Sequence, residues 1–326
     1  MLPLVGPMLA PTRPQTKDPA HASAANSGWR PRWRRHPCGV QSCTVVTAPV
    51  LEEPEPTRSP TAKASNVWVV DLDGVVWLAG QAIPGVAAAI EELRAHGVRL
   101  LFATNNSAPT IAELRARMAN CGIAVDASDF VTSAQAAAAL VAPGSTVLAL
   151  AEGGAREALE ARGARIVADG DADVVLVGWT RRFDFDRLAQ AATAVRRGAR
   201  LIGTNDDPTH PTPQGLLPGS GALLAAVATA AETRPEIAGK PNPAMVALVR
   251  SRAADIHLVV GDRPSTDGAL ARALDRPFAL VYSGVTPPGT HPHPPPAITA
   301  ADLGSLVARW VQERLPTSTV ELDEQH

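Results

Sequence analysis

The stretch Val67 to Trp77, Val-Trp-Val-Val-Asp-Leu-Asp-Gly-Val-Val-Trp, constrains this chain more than any other. Val67 to Val70 are apolar and mostly β-branched, which predicts a buried strand. The strand ends on two carboxylates, Asp71 and Asp73, and packing alone gives no reason for acids there. Side chains alternate along an extended backbone, so the two acids share one side and Leu72 takes the other. A pair of carboxylates on one face calls for a bound cation or for acid/base work. Gly74 then permits a turn that other residues resist.

Past this stretch, short apolar runs alternate with amphipathic Ala/Leu/Arg segments, the pattern of an α/β protein with a mostly parallel sheet. The run Val98 to Ala103 also ends in polar residues, Thr104, Asn105, Asn106 and Ser107, and Ile256 to Val260 runs into Gly261, Asp262 and Asp267. Lys240 stands between Gly239 and Pro241 ahead of a helix. Ligands of such sheets gather beyond the carboxyl ends of the strands, so these polar ends are read as one site. Helices are expected at Val86 to His96, Pro109 to Met118, Ala134 to Val141, Ala222 to Ala231 and Ala301 to Leu315. Gly203 to Gly221, rich in Gly, Pro, Thr and Asp, is expected to be a long loop over the substrate. Gly153-Gly154 lacks a complete Gly-x-Gly-x-x-Gly, which excludes a dinucleotide turn there.

Composition narrows the function. A chain of 326 residues at 45% hydrophobic content can bury a large core. A net charge of −2 argues against a globally basic nucleic-acid binder, and 4% aromatic residues argue against a stacking platform for single strands. No apolar run is long enough to span a membrane. The three cysteines, Cys38, Cys43 and Cys121, make no disulfide framework, which favours a reducing, cytoplasmic compartment. Cys121 reads as a small packed residue, and His36, Cys38 and Cys43 have no zinc spacing. His291 and His293 read as exposed loop residues.

Residues 1–65 repeat Pro, Arg, Ser, Thr and Ala without periodicity and are expected to be a disordered tail, as are 317–326. Met1 to Ala10 is broken by Pro3 and Pro7 and has no preceding basic residue, against a secretory signal. Arg30, Arg32, Arg34 and Arg35, interleaved with Trp29 and Trp33, read as a solvated basic tail, with a nucleic-acid tether as the alternative.

Asp71-Leu72-Asp73-Gly74-Val75, Thr104, Lys240, and Gly261-Asp262 with Asp267, taken in order, resemble the four motifs of the haloacid dehalogenase superfamily of phosphatases. Thr104-Asn105-Asn106-Ser107, Gly239-Lys240-Pro241 and Gly261-Asp262-Arg263-x-x-Thr266-Asp267 resemble its NagD and p-nitrophenylphosphatase-like subgroup, with the actinobacterial glycerol-3-phosphate phosphatases as the nearest likeness. The resemblance implies a Rossmann-like doubly wound core, 66–144 and 238–316, with an inserted α/β cap of the C2 type at 145–237. It implies Mg²⁺ on Asp71, Asp262 and the Asp73 backbone carbonyl. It makes Asp71 the nucleophile, Asp73 the general acid/base and Lys240 a phosphate ligand. Thr104 and the amides near Asn105 and Asn106 would bind phosphoryl oxygens, Asp267 would orient the site, and Asn205 and Asp207 would belong to a cap loop. Arg263 reads as an ion-pair partner. The substrate implied is a small phosphate ester, glycerol 3-phosphate or phosphoglycolate, with sugar phosphates or pyridoxal phosphate as alternatives and a homodimer through the cap. A non-catalytic phospho-ligand protein on the same fold is the rival. The chain departs from the subgroup near Gly178, where Thr180 and Phe185 replace an Asp and an aromatic hydroxyl.

Overall fold

The computed structural model describes residues 66–212 and 215–314. The expectations for the two tails, including the Arg/Trp cluster, Cys38 and Cys43, lie outside the described residues.

The chain begins with β1 (Val67–Val70), a small hairpin of β2 (Trp77–Leu78) and β3 (Gln81–Ala82), and α1 (Val86–Ala95). Then come β4 (Arg99–Thr104), α2 (Ile111–Asn120), β5 (Phe130–Thr132) and α3 (Ser133–Ala139). A second run holds β6 (Thr146–Leu150), α4 (Gly153–Ala161), β7 (Arg165–Val167), β8 (Val174–Val177), α5 (Phe185–Arg196) and β9 (Arg200–Gly203). It continues through β10 (Thr209–Thr212), β11 (Gly215–Pro218), α6 (Ser220–Ala230) and β12 (Glu236–Ile237). The last third contains α7 (Pro243–Arg252), β13 (Ile256–Gly261), α8 (Ala269–Leu274), β14 (Phe278–Val281), β15 (Ile298–Ala300) and α9 (Leu303–Arg314).

Two parallel sheets organise these elements. The first has the order β15-β14-β13-β1-β4-β5, and the second β12-β9-β8-β6-β7. Every residue of β1, β8 and β14 is buried, because helices cover both faces and leave no side for polar alternation. One face of the first sheet packs Trp68, Phe102 and Phe130 against Ile90 and Leu93 of α1 and Leu306 of α9. The opposite face shares a continuous apolar cluster with the second sheet, through Leu101, Val131, Ala155 and Leu176. The fold is thus the expected α/β class with parallel sheets.

Local boundaries follow from capping. α2 starts at Ile111 and not at Pro109, because Thr110 and Glu113 form a reciprocal capping box. Thr132 and Gln135 do the same for α3. The expected unstructured loop from Gly203 to Gly221 instead contains an antiparallel hairpin, with Thr209 opposite Pro218 and Thr212 opposite Gly215. Cys121 is half-buried at the end of α2, and burial raises its thiol pKa, which leaves it unreactive. His291 and His293 are exposed. Among the described residues no helix is long and apolar enough to cross a membrane.

Candidate active site

In the first sheet the chain proceeds from β1 through β4 to β5 on one side, and from β13 through β14 to β15 on the other. The order reverses between β1 and β13, and there the carboxyl ends of the strands leave a crevice. Asp71 follows β1, Thr104 ends β4 and Asp262 follows β13, so each polar strand end anticipated from the sequence meets the others. They line a cavity of about 80 Å³ with Asp73, Asn105, Asn106, Lys240, Asn205 and Asp207.

Lys240 organises its floor. Its side chain is 2% exposed, and Nζ donates to Asp71 Oδ1 at 2.7 Å, Asp267 Oδ1 at 2.7 Å and the Ala103 carbonyl at 2.9 Å. These three bonds use all the protons of the ammonium. Burial disfavours the Lys240 charge, but Asp267 and Asp71 outweigh it and raise the pKa, so the group stays cationic. Asp267 belongs to a π-helical turn over Pro264–Gly268, where its Oδ2 accepts the Arg263 N–H at 3.1 Å. Neither Asp262 nor Asp267 is a free surface carboxylate.

Asp262 is enclosed by backbone. Its Oδ2 accepts from the Val285 N–H at 2.7 Å, and a Cβ on either Gly74 or Gly284 would collide with it. Gly74 also has φ +85°, so the turn after Asp73 needs glycine twice over. Oxygens of Asp71, Asp262 and Asp267 lie within 4.8 Å of one another. Burial, then Asp267, raises the Asp262 pKa to about 6. Burial also lifts Asp71 well above the usual carboxylate range despite Lys240, and Asp267 and Asp262 add to the shift. Three buried acids facing one buried ammonium carry surplus negative charge, and their hard oxygen donors fit a Mg²⁺ ion. The side-chain cluster includes Asp267, which sequence reasoning had placed behind the metal ligands. Asp73 contributes no carboxylate to it: Asp73 Oδ1 accepts from Trp77 Nε1 at 3.0 Å.

The residues after β4 divide their tasks. Thr104 is buried, and its Oγ1 accepts from the Asn106 N–H at 3.0 Å, which leaves the hydroxyl proton to donate. The Asn106 side chain turns back to accept from the Ala108 N–H. Asn105 is a bridge: Nδ2 reaches Asp207 at 3.1 Å and the Lys240 carbonyl at 3.3 Å, and Oδ1 accepts from the Lys240 N–H at 2.8 Å. With its side chain committed, only its backbone amide remains for a phosphoryl group. Asn205 Nδ2 donates to the Asn105 carbonyl at 2.6 Å, and Asp207 pairs with Arg263 at 3.5 Å. Burial raises the Asp207 pKa, against the pull of Arg263. Arg263 is thus the ion-pair partner that was expected.

Trp179 and His210 were missed from the sequence, and Ser107, read with the polar end of β4, was given no role there. Ser107 is buried and accepts from Thr204 Oγ1 at 2.9 Å, which ties the end of β4 to the second sheet. Trp179 and His210 line the cavity. Trp179 follows β8 of the second sheet and His210 lies in the β10–β11 hairpin, so the tertiary fold brings them together; the Gly203–Gly221 segment was expected over the substrate, but His210 was not singled out within it. The two substituted positions near Gly178 point elsewhere. Thr180 Oγ1 donates to Glu152 at 2.7 Å, and Phe185 is 80% exposed.

Comparison with known proteins gives this geometry a family. The haloacid dehalogenase-like hydrolases match residues 68–165, and a second, HAD-hydrolase-like family matches 237–306. The acid sugar phosphatase of Staphylococcus saprophyticus is 32% identical over 75% of this chain and 98% of its own length. This chain belongs to the haloacid dehalogenase-like hydrolases. Another relative in the family, the D-glycerol 3-phosphate phosphatase of Mycobacterium tuberculosis, is 38% identical over 69% of this chain, a match spanning 65% of that protein. A crystal structure of the glycerol phosphate phosphatase from Mycobacterium tuberculosis in complex with magnesium superposes with a TM-score of 0.69 at 35% identity, covering 74% of this chain and 76% of that one. The relatives place the chain among the NagD-like phosphatases of the family, for which Mg²⁺ is the metal.

Proposed function

We propose that this hydrolase cleaves small phosphate monoesters through an aspartyl-phosphate on Asp71, with 66–144 and 238–316 as the catalytic core and 145–237 as its cap. The observation that carries this reading is Asp71 at a cavity floor, held 2.7 Å from the buried Lys240 ammonium, with Asp73 and Thr104 on the same cavity. Lys240 fixes the Asp71 carboxylate and lowers the repulsion between it and the incoming phosphoryl group. Asp71 attacks phosphorus as the ester oxygen leaves, and Asp73 gives that oxygen a proton. Asp73 then takes a proton from the water that attacks the acyl phosphate, freeing inorganic phosphate and restoring Asp71. Acid/base help of this kind contributes about 10²- to 10⁴-fold. Thr104 donates its free hydroxyl proton to a phosphoryl oxygen, and the Asn105 and Asn106 amides lie beside it. Asp71, Asp262 and the Asp73 carbonyl would hold Mg²⁺, which when bound neutralises phosphoryl charge. The cap limits access of bulk water to the acyl phosphate.

The sparse cysteines favour a reducing compartment and support placing the enzyme in the cytoplasm. The test is phosphate release from a panel of esters, including p-nitrophenyl phosphate, with Mg²⁺ and with chelator, for wild type and Asp71→Asn. Release that requires Mg²⁺ and disappears in Asp71→Asn is expected. Equal release by the two proteins would overturn the assignment of Asp71, and none by wild type on any ester would favour a phospho-ligand-binding role.

A further inference from the structure

The loop that follows β14 closes on both strand ends that carry acids. Ser283 Oγ donates to the Gly74 carbonyl at 2.7 Å, the Val285 N–H donates to Asp262 Oδ2 at 2.7 Å, and Thr286 Oγ1 donates to the Asp262 carbonyl. Between them Gly284 lies so near Asp262 that a Cβ there would fall on the carboxylate. Four consecutive residues thus commit two hydroxyls, one amide and one absent side chain to the same two turns. Ser283 and Thr286 belong to none of the four motifs, and neither lines the catalytic cavity.

Each bond fixes an oxygen of the implied metal site. Oδ2 of Asp262 is wedged between Gly74 and Gly284 and occupied by the Val285 amide, so Oδ1 is the oxygen left to offer an ion. The turn after Asp73 is held from both sides. The Gly74 N–H donates to the Trp77 carbonyl at 2.7 Å, and the Gly74 carbonyl accepts from Ser283. The peptide between Asp73 and Gly74 is trans and planar, so fixing the Gly74 N–H also fixes the direction of the Asp73 carbonyl. Such restraint matters most for a small ion. Mg²⁺ demands near-ideal octahedral geometry, whereas Ca²⁺ accepts a looser and more crowded shell.

Resting on the Mg²⁺-dependent phosphatase reading above, we propose that Ser283 and Thr286 are positioning residues of the metal site. They hold Asp262 and the turn after Asp73 in the geometry that Mg²⁺ requires. Their effect reaches the reaction through Asp262 and Gly74, not through contact with the substrate.

The test is titration calorimetry of the full chain, freed of metal with chelator, against Mg²⁺ and separately against Ca²⁺. Ser283→Ala and Thr286→Val each remove one donor, and the second keeps the shape of the side chain. Each should weaken Mg²⁺ binding about tenfold or more, as loss of a group that orients a metal ligand does. Ca²⁺ binding should weaken less, because the larger ion tolerates displaced ligands. Ser283→Thr and Thr286→Ser keep the hydroxyl and should restore most of the Mg²⁺ affinity. A merely structural role would lower the melting temperature in chelator and leave the affinity for both ions unchanged. Folded Ser283→Ala and Thr286→Val proteins that bind Mg²⁺ within about twofold of wild type, or that lose Mg²⁺ and Ca²⁺ equally, overturn the proposal. If neither variant folds, hydrogen exchange in wild type decides. Mg²⁺ should slow exchange in peptides covering 283–286 together with those covering 71–77, and slowing confined to 71–77 overturns it. Wild type that binds no Mg²⁺ would bring down the metal-dependent phosphatase reading first. Wild type that binds Mg²⁺ and hydrolyses p-nitrophenyl phosphate, beside variants that do so equally well, removes only the role of Ser283 and Thr286.

Discussion

Lys240→Met isolates the buried charge cluster formed by Lys240, Asp71 and Asp267. The substitution keeps the length of the side chain and removes an ammonium that sits 2.7 Å from both Asp71 and Asp267. The carboxylates left behind are 9% and 1% exposed, so water cannot replace the lost partner. Breaking a buried ion pair by deleting one member costs about 3–5 kcal/mol. The two pairs share one ammonium and their losses do not add, so the expected total stays near that range. For a folded unit of this size each kcal/mol moves the melting temperature by about 2–4 °C, which gives a fall of about 6–20 °C. The assay is thermal unfolding followed by circular dichroism, in chelator, at pH 8 and at pH 5. The fall should be smaller at pH 5, where the stranded carboxylates take up protons more easily. A drop under about 2 °C at pH 8, or a larger drop at pH 5 than at pH 8, would refute the view that Lys240 is the chief compensation for these acids.

Two further outcomes test neighbouring parts of the site. Asn105→Ala removes the bonds to Asp207 and to the Lys240 backbone, leaving buried polar groups that cost about 1–3 kcal/mol; kcat/KM should fall roughly five- to a hundredfold, and a fall under about twofold in steady-state assays contradicts the bridging role. In the metal-free protein, Asp262 holds its proton up to about pH 6, above its ordinary 3.8, so the native state binds more protons than the unfolded chain in that window and stability falls as pH rises through it. Calorimetry in chelator should show this fall in wild type but less of it in Asp262→Asn, with Mg²⁺ raising the wild-type melting temperature more at pH 7 than at pH 5; the same pH slope in both proteins would count against it.

The parts of the site legible in the sequence are those where a residue contradicts its local surroundings. Acids after Val70 and Val260 have no place in a buried strand, and the resemblance supplied Lys240 as a phosphate ligand of the same site; its pairing with Asp71 and Asp267 is visible only in the fold. Asn105 shows the limit. Its residue type suits phosphate, yet its amide is committed to Asp207 and to Lys240, more than a hundred positions away in sequence. No local pattern announces such a contact. Asp267 drew closer to the other acids than expected because a π-helical turn, a rare geometry without a composition signal, swings it toward Lys240. The missed strands are short or irregular. β7 and β15 have three residues each, and the hairpin of β10 and β11 carries Pro211 and Pro218, which demote a segment in any reading by propensity. Trp179 draws no reading from the sequence, and His210 lies in a segment expected to be loop, until the fold brings both to the cavity.

The sheet order has a consequence for synthesis on the ribosome. β1 lies at the centre of the first sheet, yet one neighbour, β4, begins at Arg99 and the other, β13, begins only at Ile256. While the intervening chain is being made, the apolar edge of β1 that will receive β13 has no partner, the kind of edge that invites pairing with other chains. Strands β6 to β9 and β12 form the second sheet and β10 pairs with β11, all within one contiguous stretch that needs nothing from the later residues to pair. Their early assembly would hold the two halves of the first sheet at a short separation, so that the last-made third closes onto a prepared edge and brings Asp262 to Asp71 in the same event.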